Sequence, residues 1–186
     1  MRRRRIFRPA PGPRRLGTVA LGCAVAAGAV VLAVALPGDL FGSAPHEQFW
    51  TATAPEVRVL DGDALRLGDR VLRLAGLAVP NRGQATCPND GGQPADCAAA
   101  AAAALARLVQ GQDVECHVHG RDRHGRALGT CRAGGVELNG SLVAAGWALA
   151  EAAAPALAPQ EAAARQDGRG LWASGATPPG NWRQRF

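Results

Sequence analysis

Lysine and tyrosine are both absent from this 186-residue chain. Without lysine, every permanent side-chain cation is an arginine, so any grip on an anion must be made by guanidinium groups. Acids are missing from the N-terminal stretch: all 15 lie beyond residue 36, while Arg2, Arg3, Arg4, Arg5, Arg8, Arg14 and Arg15 crowd the first fifteen positions. The formal charge of +6 belongs to that stretch. Beyond it 14 arginines face 15 acids, a balance of −1, which excludes a generally basic nucleic-acid binder on charge alone. Charge of either sign is absent from residues 16–36, LGTVALGCAVAAGAVVLAVAL. As a helix this run would reach about 30 Å, the thickness of a bilayer core. The arginines before it favour a cytoplasmic N-terminus. The expected layout is therefore a basic cytoplasmic segment at 1–15, a transmembrane helix or signal anchor at 16–36, and the remainder outside the cytoplasm, in the periplasm or at the cell exterior. Ala33-Val34-Ala35 also offers a site for signal-peptide cleavage. No internal repeat is visible.

Pro37, Gly38, Gly42, Ser43 and Pro55 mark a linker over residues 37–54. The stretch VRVLDGDALRL reads as two short strands around Asp61-Gly62-Asp63, a hairpin signal. A third strand, RVLRLAGLAV, follows Gly68-Asp69. Its alternation places Arg73 with Ala75 and Leu77 on one face, opposite Leu72, Leu74 and Gly76. Residues 81–96 read as a polar loop. A helix is expected over about 94–109, with Asp96 able to cap its start and Gly111 after its end. Two more strands, DVECHVHG and ALGTCRAGG, flank the turn RDRHGR, and helices follow at ELNGSLVAAGW and about 159–169. This is an α+β order, and a helix inserted after the third of five strands fits an OB-type barrel.

The ordered set DGDALRL, VLRLAGLAVP, DRHGRALGTC, LNGSLVAAGWALA, EAAARQDGRGLW and PPGNWR resembles the thermonuclease family, the staphylococcal nuclease-like domains, over residues 55–183. The resemblance implies a five-stranded OB-fold barrel with three helices and calcium-dependent hydrolysis of phosphodiester bonds in DNA or RNA. It implies roles residue by residue. Asp63 matches the turn carboxylate that ligates Ca2+. Arg73 and Arg126 match the two arginines that grip the phosphate. Arg123 stands where a lysine often meets a terminal phosphate, and His124 where a tyrosine is usual. Such a site makes chemical sense. Attack on a phosphodiester builds negative charge, which fixed cations stabilise, and the planar guanidinium binds two phosphate oxygens at once.

Three positions depart from the pattern. Ala78 stands at the second calcium carboxylate, Val79 at the threonine beside it, and Asn81 at the glutamate that serves as general base. Alanine and valine offer no side-chain ligand, and an amide takes no proton at ordinary pH. The family's nucleotide-contacting tyrosines have no counterpart. The sequence therefore points to a catalytically degenerate nuclease fold of the cell envelope that binds nucleic acid, nucleotide or another phosphate-bearing ligand through Arg73, Arg123 and Arg126. Calcium binding at Asp63 is expected to be weak or absent. Two other readings stand beside it: an active nuclease whose missing groups are replaced by Asp61 or an acid of the 89–96 loop, and a nonenzymatic protein-interaction scaffold.

Cys23 lies within the apolar run. The other four cysteines form an even set in a region expected to be oxidising. Cys116 and Cys131 flank the RDRHGR turn on neighbouring strands and Cys87 and Cys97 close one loop, so these two disulfides are expected. A zinc site built from Cys116, His117, His119, His124 and Cys131 is the weaker alternative, because Cys116 and His117 would point to opposite strand faces. Trp147, Trp172 and Trp182 are expected to pack rather than to stack on ligand.

Overall fold

The computed structural model describes residues 48–89 and 91–180. The apolar run 16–36, Cys23 and Trp182 lie outside the described residues, and among those described no helix is long and apolar enough to cross a membrane. In chain order the strands are β1 Gln48–Ala52, β2 Val57–Asp61, β3 Ala64–Leu67, β4 Arg70–Leu74, β5 Leu77–Ala78, β6 Thr86–Pro88 and β7 Pro94–Asp96. Helix α1, Cys97–Val109, comes next, then β8 Val114–Arg121, β9 Ala127–Ala133 and β10 Val136–Glu137. Helix α2 Leu138–Ala144, β11 Leu149–Ala150 and helix α3 Ala158–Gln166 complete the order.

The α+β class and the three helices agree with expectation; the closed five-stranded barrel does not. The main sheet has seven strands in the order β1-β8-β9-β4-β3-β2, with β10 on β9, and no ladder joins its two ends. The reason lies at the turn Ala54–Glu56. Pro55 has no N–H to give a ladder and fixes its own φ, so the chain breaks between β1 and β2. One half pairs with β8 and the other with β3. The sheet still curls: the Arg70 guanidinium of β4 lies 5.0 Å over the Trp50 ring of β1. The linker expected to run to residue 54 accordingly gives way to β1, whose Trp50 is buried.

Two other expectations are corrected. The polar loop at 81–96 contains the hairpin β6–β7. The third strand is not continuous: Gly76, at φ +76°, breaks it, a conformation that side-chain-bearing residues rarely adopt. β5 leaves the main sheet to pair with β11, so Leu77 is buried rather than on the half-buried face of Arg73.

The core is built mainly of Leu65, Leu67, Leu72, Leu74, Leu105, Leu138 and Leu142, all fully buried, each worth roughly 1.5–3 kcal/mol on leaving water. Asp96 caps α1, accepting the Ala98 N–H at 2.9 Å. The helix turns Ala98, Ala101, Ala104, Leu105 and Val109 inward. Its small side chains admit the β2–β3 turn very closely. A Cβ added to Gly62 would fall 2.7 Å from the Ala101 Cβ and 2.8 Å from a Val79 methyl, closer than any stable contact.

Both expected disulfides are present, Cys87–Cys97 and Cys116–Cys131. The second joins residues directly opposite in the β8–β9 ladder. Trp147 and Trp172 pack against the core.

One buried polar side chain fixes how these parts meet. Asn139, at the start of α2, is 2 % exposed. Its amide donates to the Ala75 carbonyl at 2.9 Å and the Gly129 carbonyl at 3.2 Å, and accepts the Cys131 N–H at 3.2 Å. It therefore ties α2 to β9 and to the residue just before the Gly76 break. Asn139→Ala is expected to lower the unfolding free energy by about 3 kcal/mol, since backbone groups buried without a partner cost about 1–3 kcal/mol each. Urea denaturation of the two proteins measures this, and equal midpoints would contradict it.

Candidate functional site

A cavity of about 660 Å³ opens where the β2–β3 turn, the end of β4, the β5–Asn81 segment and the β8–β9 turn converge. It brings together Asp63, Arg73, Ala78, Val79, Asn81, Arg123 and Arg126, the residues singled out from sequence as site positions. Each arrives by a separate route. Arg73 stands on β4 between Ala64 of β3 and Leu128 of β9. Asp63 ends the turn pressed against α1 through Gly62. Val79 is buried beneath that turn, and Asn81 opens the bend that follows Pro80, its N–H held by the Gln84 side chain at 2.8 Å.

Two of the three arginines carry an internal partner. Arg73 Nε donates to Asp63 Oδ2 at 2.6 Å. Asp63 is only 7 % exposed. Burial pushes its carboxyl above the usual range, and the Asp61 charge adds to this; Arg73 and, more weakly, Arg126 oppose the rise without cancelling it. Its sign follows: ionisation of Asp63 is less favourable in the fold than in the unfolded chain, so its contribution to stability is complete at low pH and fades as pH rises through its folded value.

Arg126 is held by Asp122. Arg126 Nε reaches Asp122 Oδ2 at 2.6 Å, while Oδ1 accepts the N–H groups of His124 at 2.8 Å and Arg126 at 2.9 Å. Partial burial pushes the Asp122 carboxyl upward, but the Arg126 backbone and side-chain hydrogen bonds, the His124 N–H and the Arg126 charge outweigh it and bring it down to about 2. One carboxylate thus both closes the β8–β9 turn and aims its arginine. Arg123 is exposed and donates to His124 Nε2 at 3.2 Å.

Two acids of this cleft were not singled out from sequence. Asp122 had a local signal, the four-residue spacing to Arg126 across a Gly-containing turn. Glu151 had none. It comes to the cleft because β11 pairs with β5 and the Glu151 N–H continues that ladder to the Gly76 carbonyl at 2.9 Å. Asp61 also lines the cavity. Asp96 of the 89–96 loop is occupied elsewhere, capping α1 and accepting the Gly83 N–H at 3.1 Å.

At the positions matched to the calcium ligands, the donors fall short of the six to eight oxygens that calcium takes. Ala78 and Val79 bring no side-chain oxygen, Asp63 is engaged by Arg73, and among the described residues no three His, Cys, Asp or Glu side chains converge as a metal site. The zinc alternative loses both cysteines to the Cys116–Cys131 disulfide, and His117 stacks on Phe49 with ring centroids 4.8 Å apart.

The depressed Asp122 value sets a pH dependence. A carboxyl lowered in the fold stabilises it above the ordinary carboxylate range, and this is lost as pH falls through about 2. Asp122→Asn is expected to melt below the wild type at pH 7, with the gap narrowing between about pH 4 and pH 2. Thermal scans across that range test this; a gap independent of pH would contradict it.

The chain matches the family model described as staphylococcal nuclease homologue over residues 71–174. It is also 29 % identical over 169 residues to the succinoglycan biosynthesis protein ExoI of Rhizobium meliloti (strain 1021), an alignment covering 89 % of this chain and 83 % of that relative. The family match spans more than half of the chain and runs from β4 through the 3-10 turn at Gly170–Trp172. On that extent, the chain belongs to the staphylococcal nuclease homologue family.

Proposed function

We propose that this domain is a catalytically degenerate member of its family: an anion-binding module of the cell envelope that holds a phosphate-bearing ligand, nucleic acid or nucleotide, without hydrolysing it. The observation that carries the reading is the state of Asp63. It is the remaining carboxylate of the family's metal pair, it is buried, and Arg73 binds it at 2.6 Å. The cleft holds three arginines and four carboxylates, and two of those carboxylates, Asp63 and Asp122, are already paired with Arg73 and Arg126. Asn81, at the base position, cannot accept a proton from water. A relative named for succinoglycan biosynthesis is in keeping with a role other than nuclease. The uncharged run 16–36 would anchor the domain to the membrane and hold it outside the cytoplasm.

Ligand and Asp63 compete for Arg73 in this reading. An incoming phosphodiester takes the guanidinium more easily when Asp63 is protonated or removed, because no buried negative charge is then left unpaired. Arg126 competes less, since Asp122 stays ionised to about pH 2. Glu151 and Asp61 favour the second reading, an active nuclease with replaced groups, because they put two further carboxylates in the cleft.

The two readings predict opposite results for one substitution. Asp63→Asn is expected to bind a short oligonucleotide such as (dT)3 several-fold more tightly than wild type at pH 7, and wild-type affinity is expected to rise as pH falls through the Asp63 titration. Titration calorimetry measures both. Calcium-dependent cleavage of single-stranded DNA or RNA by the full-length protein, abolished by Asp63→Asn, would overturn the degenerate reading and establish the nuclease.

A further inference from the structure

The outer face of the sheet next to the cleft carries an arrangement that folding alone does not explain. Arg58 of β2 and Arg66 of β3 are directly opposite in the antiparallel ladder, and both are exposed. Like charges at facing positions, about 5 Å apart at Cβ, destabilise a sheet. Among the described residues no carboxylate forms an ion pair with either. The Arg58 guanidinium rests on the Pro55 and Val57 carbonyls at 2.7 and 2.8 Å, contacts that orient it and leave its charge in place. The domain's balance is close to neutral, so a positive pair on one hairpin is a local concentration and not a sample of a basic surface.

The register links this pair to the cleft. Arg66 faces Val71 and Ala64 faces Arg73 across the β3–β4 ladder. Arg66 and Arg73 are therefore diagonal neighbours on one face, about 7–8 Å apart. Arg58, Arg66 and Arg73 form a track that leaves the cleft across β4, β3 and β2. Val71, exposed at 36 %, lies on the same face, and Leu60, at 39 %, sits at the bulge where the β2–β3 register shifts.

We propose that this track extends the cleft into a groove for single-stranded nucleic acid, with successive phosphates on Arg73, Arg66 and Arg58 and bases lying over Val71 and Leu60. The inference rests on the proposed anion-binding role of the cleft and goes beyond it by assigning a polymer and a direction. A single nucleotide would satisfy Arg73 and leave the Arg58–Arg66 repulsion unrelieved. A chain with a charge at every step relieves it, and the guanidinium fork suits phosphate. An acidic polysaccharide offers charge without flat apolar bases to cover Val71 and Leu60, which is why nucleic acid is favoured.

The test compares (dT)3 with (dT)15 on the full-length protein, in a background where the seven arginines before Leu16 are replaced by glutamine to remove their nonspecific attraction. Arg58→Ala/Arg66→Ala is expected to weaken (dT)15 binding about tenfold at low salt and to reduce the slope of log K against log salt by about 1.4, two contacts at about 0.7 each. It is expected to leave (dT)3 unchanged, whereas Arg73→Ala weakens both. Loss of function through misfolding is checked by thermal melting, where the double variant is expected to match or exceed the parent because it removes a like-charge pair. Unchanged (dT)15 binding by the double variant, with Arg73→Ala still weakening (dT)3, would overturn the track and spare the cleft. Unchanged (dT)3 binding by Arg73→Ala, or no binding of either oligonucleotide by the parent, would overturn the cleft and the track together. Tighter binding of a sulfated polysaccharide of matched charge than of (dT)15 would overturn the assignment to nucleic acid.

Discussion

The amide of Asn139 is the point on which this architecture turns. Three strands and a helix meet where β4 ends, β5 departs and β9 runs past. At that junction the Ala75 and Gly129 carbonyls and the Cys131 N–H come together in the core, 2 % exposed to solvent at Asn139. Buried backbone groups need partners; the Ala75 N–H still reaches the Gly129 carbonyl at 2.9 Å, but at the strand break the ladder cannot serve the Ala75 carbonyl or the Cys131 N–H. One side chain with two donors and an acceptor can. Because Asn139 holds the end of β4, Gly76 can reverse the backbone, and because Gly76 reverses it, Ala78, Val79 and Asn81 face Arg73 across the cleft instead of continuing away along the sheet.

The cleft's electrostatics follow from the lack of lysine. Arginine stays charged throughout the accessible pH range, so the cations cannot be tuned by burial. Tuning falls to the acids, and the two arginine partners are tuned in opposite directions. Asp63 is buried and pushed up; Asp122 is wrapped in N–H donors and held down to about 2. Arg126 thus has a permanent internal counter-charge, while that of Arg73 is conditional. The difference arises from desolvation at one site and hydrogen bonding at the other, with the Nε–carboxylate distance the same at both, 2.6 Å.

What the sequence disclosed, and what it hid, divides along physical lines. Asp63, Arg73, Ala78, Val79, Asn81, Arg123 and Arg126 were legible as one site because each lies in a short stretch whose order along the chain carries a resemblance. The disulfides were legible because both pairs close short segments. The break at Gly76 was not, since VLRLAGLAV alternates as one strand would and a glycine's φ is invisible to hydrophobic periodicity. Trp50 was hidden in a polar stretch that reads as linker, and its strand forms only because β8 offers an edge. Glu151 was hidden most deeply, since a two-residue ladder between segments more than seventy positions apart brings it to the cleft. The open sheet was missed for a related reason: local pattern counts strands but does not say whether the first and second halves of a bent strand find different neighbours.

The seven-alanine run at the start of α1 looks like compositional noise, yet the fold divides it into two populations. Ala98, Ala101 and Ala104 face the core, while Ala99 and Ala103 face solvent. The outward ones are interchangeable with other helix formers. The inward ones act as a spacer gauge. At Ala101 the methyl lies so near Gly62 that the distance between helix and turn has no slack, and Asp61 and Asp63 ride on that turn. A drift in base composition that enlarged the inward alanines would widen the mouth of the cleft without altering a single charged residue in it. Divergence in this domain can therefore reshape the cleft from behind, through positions that a comparison of cleft residues alone would pass over.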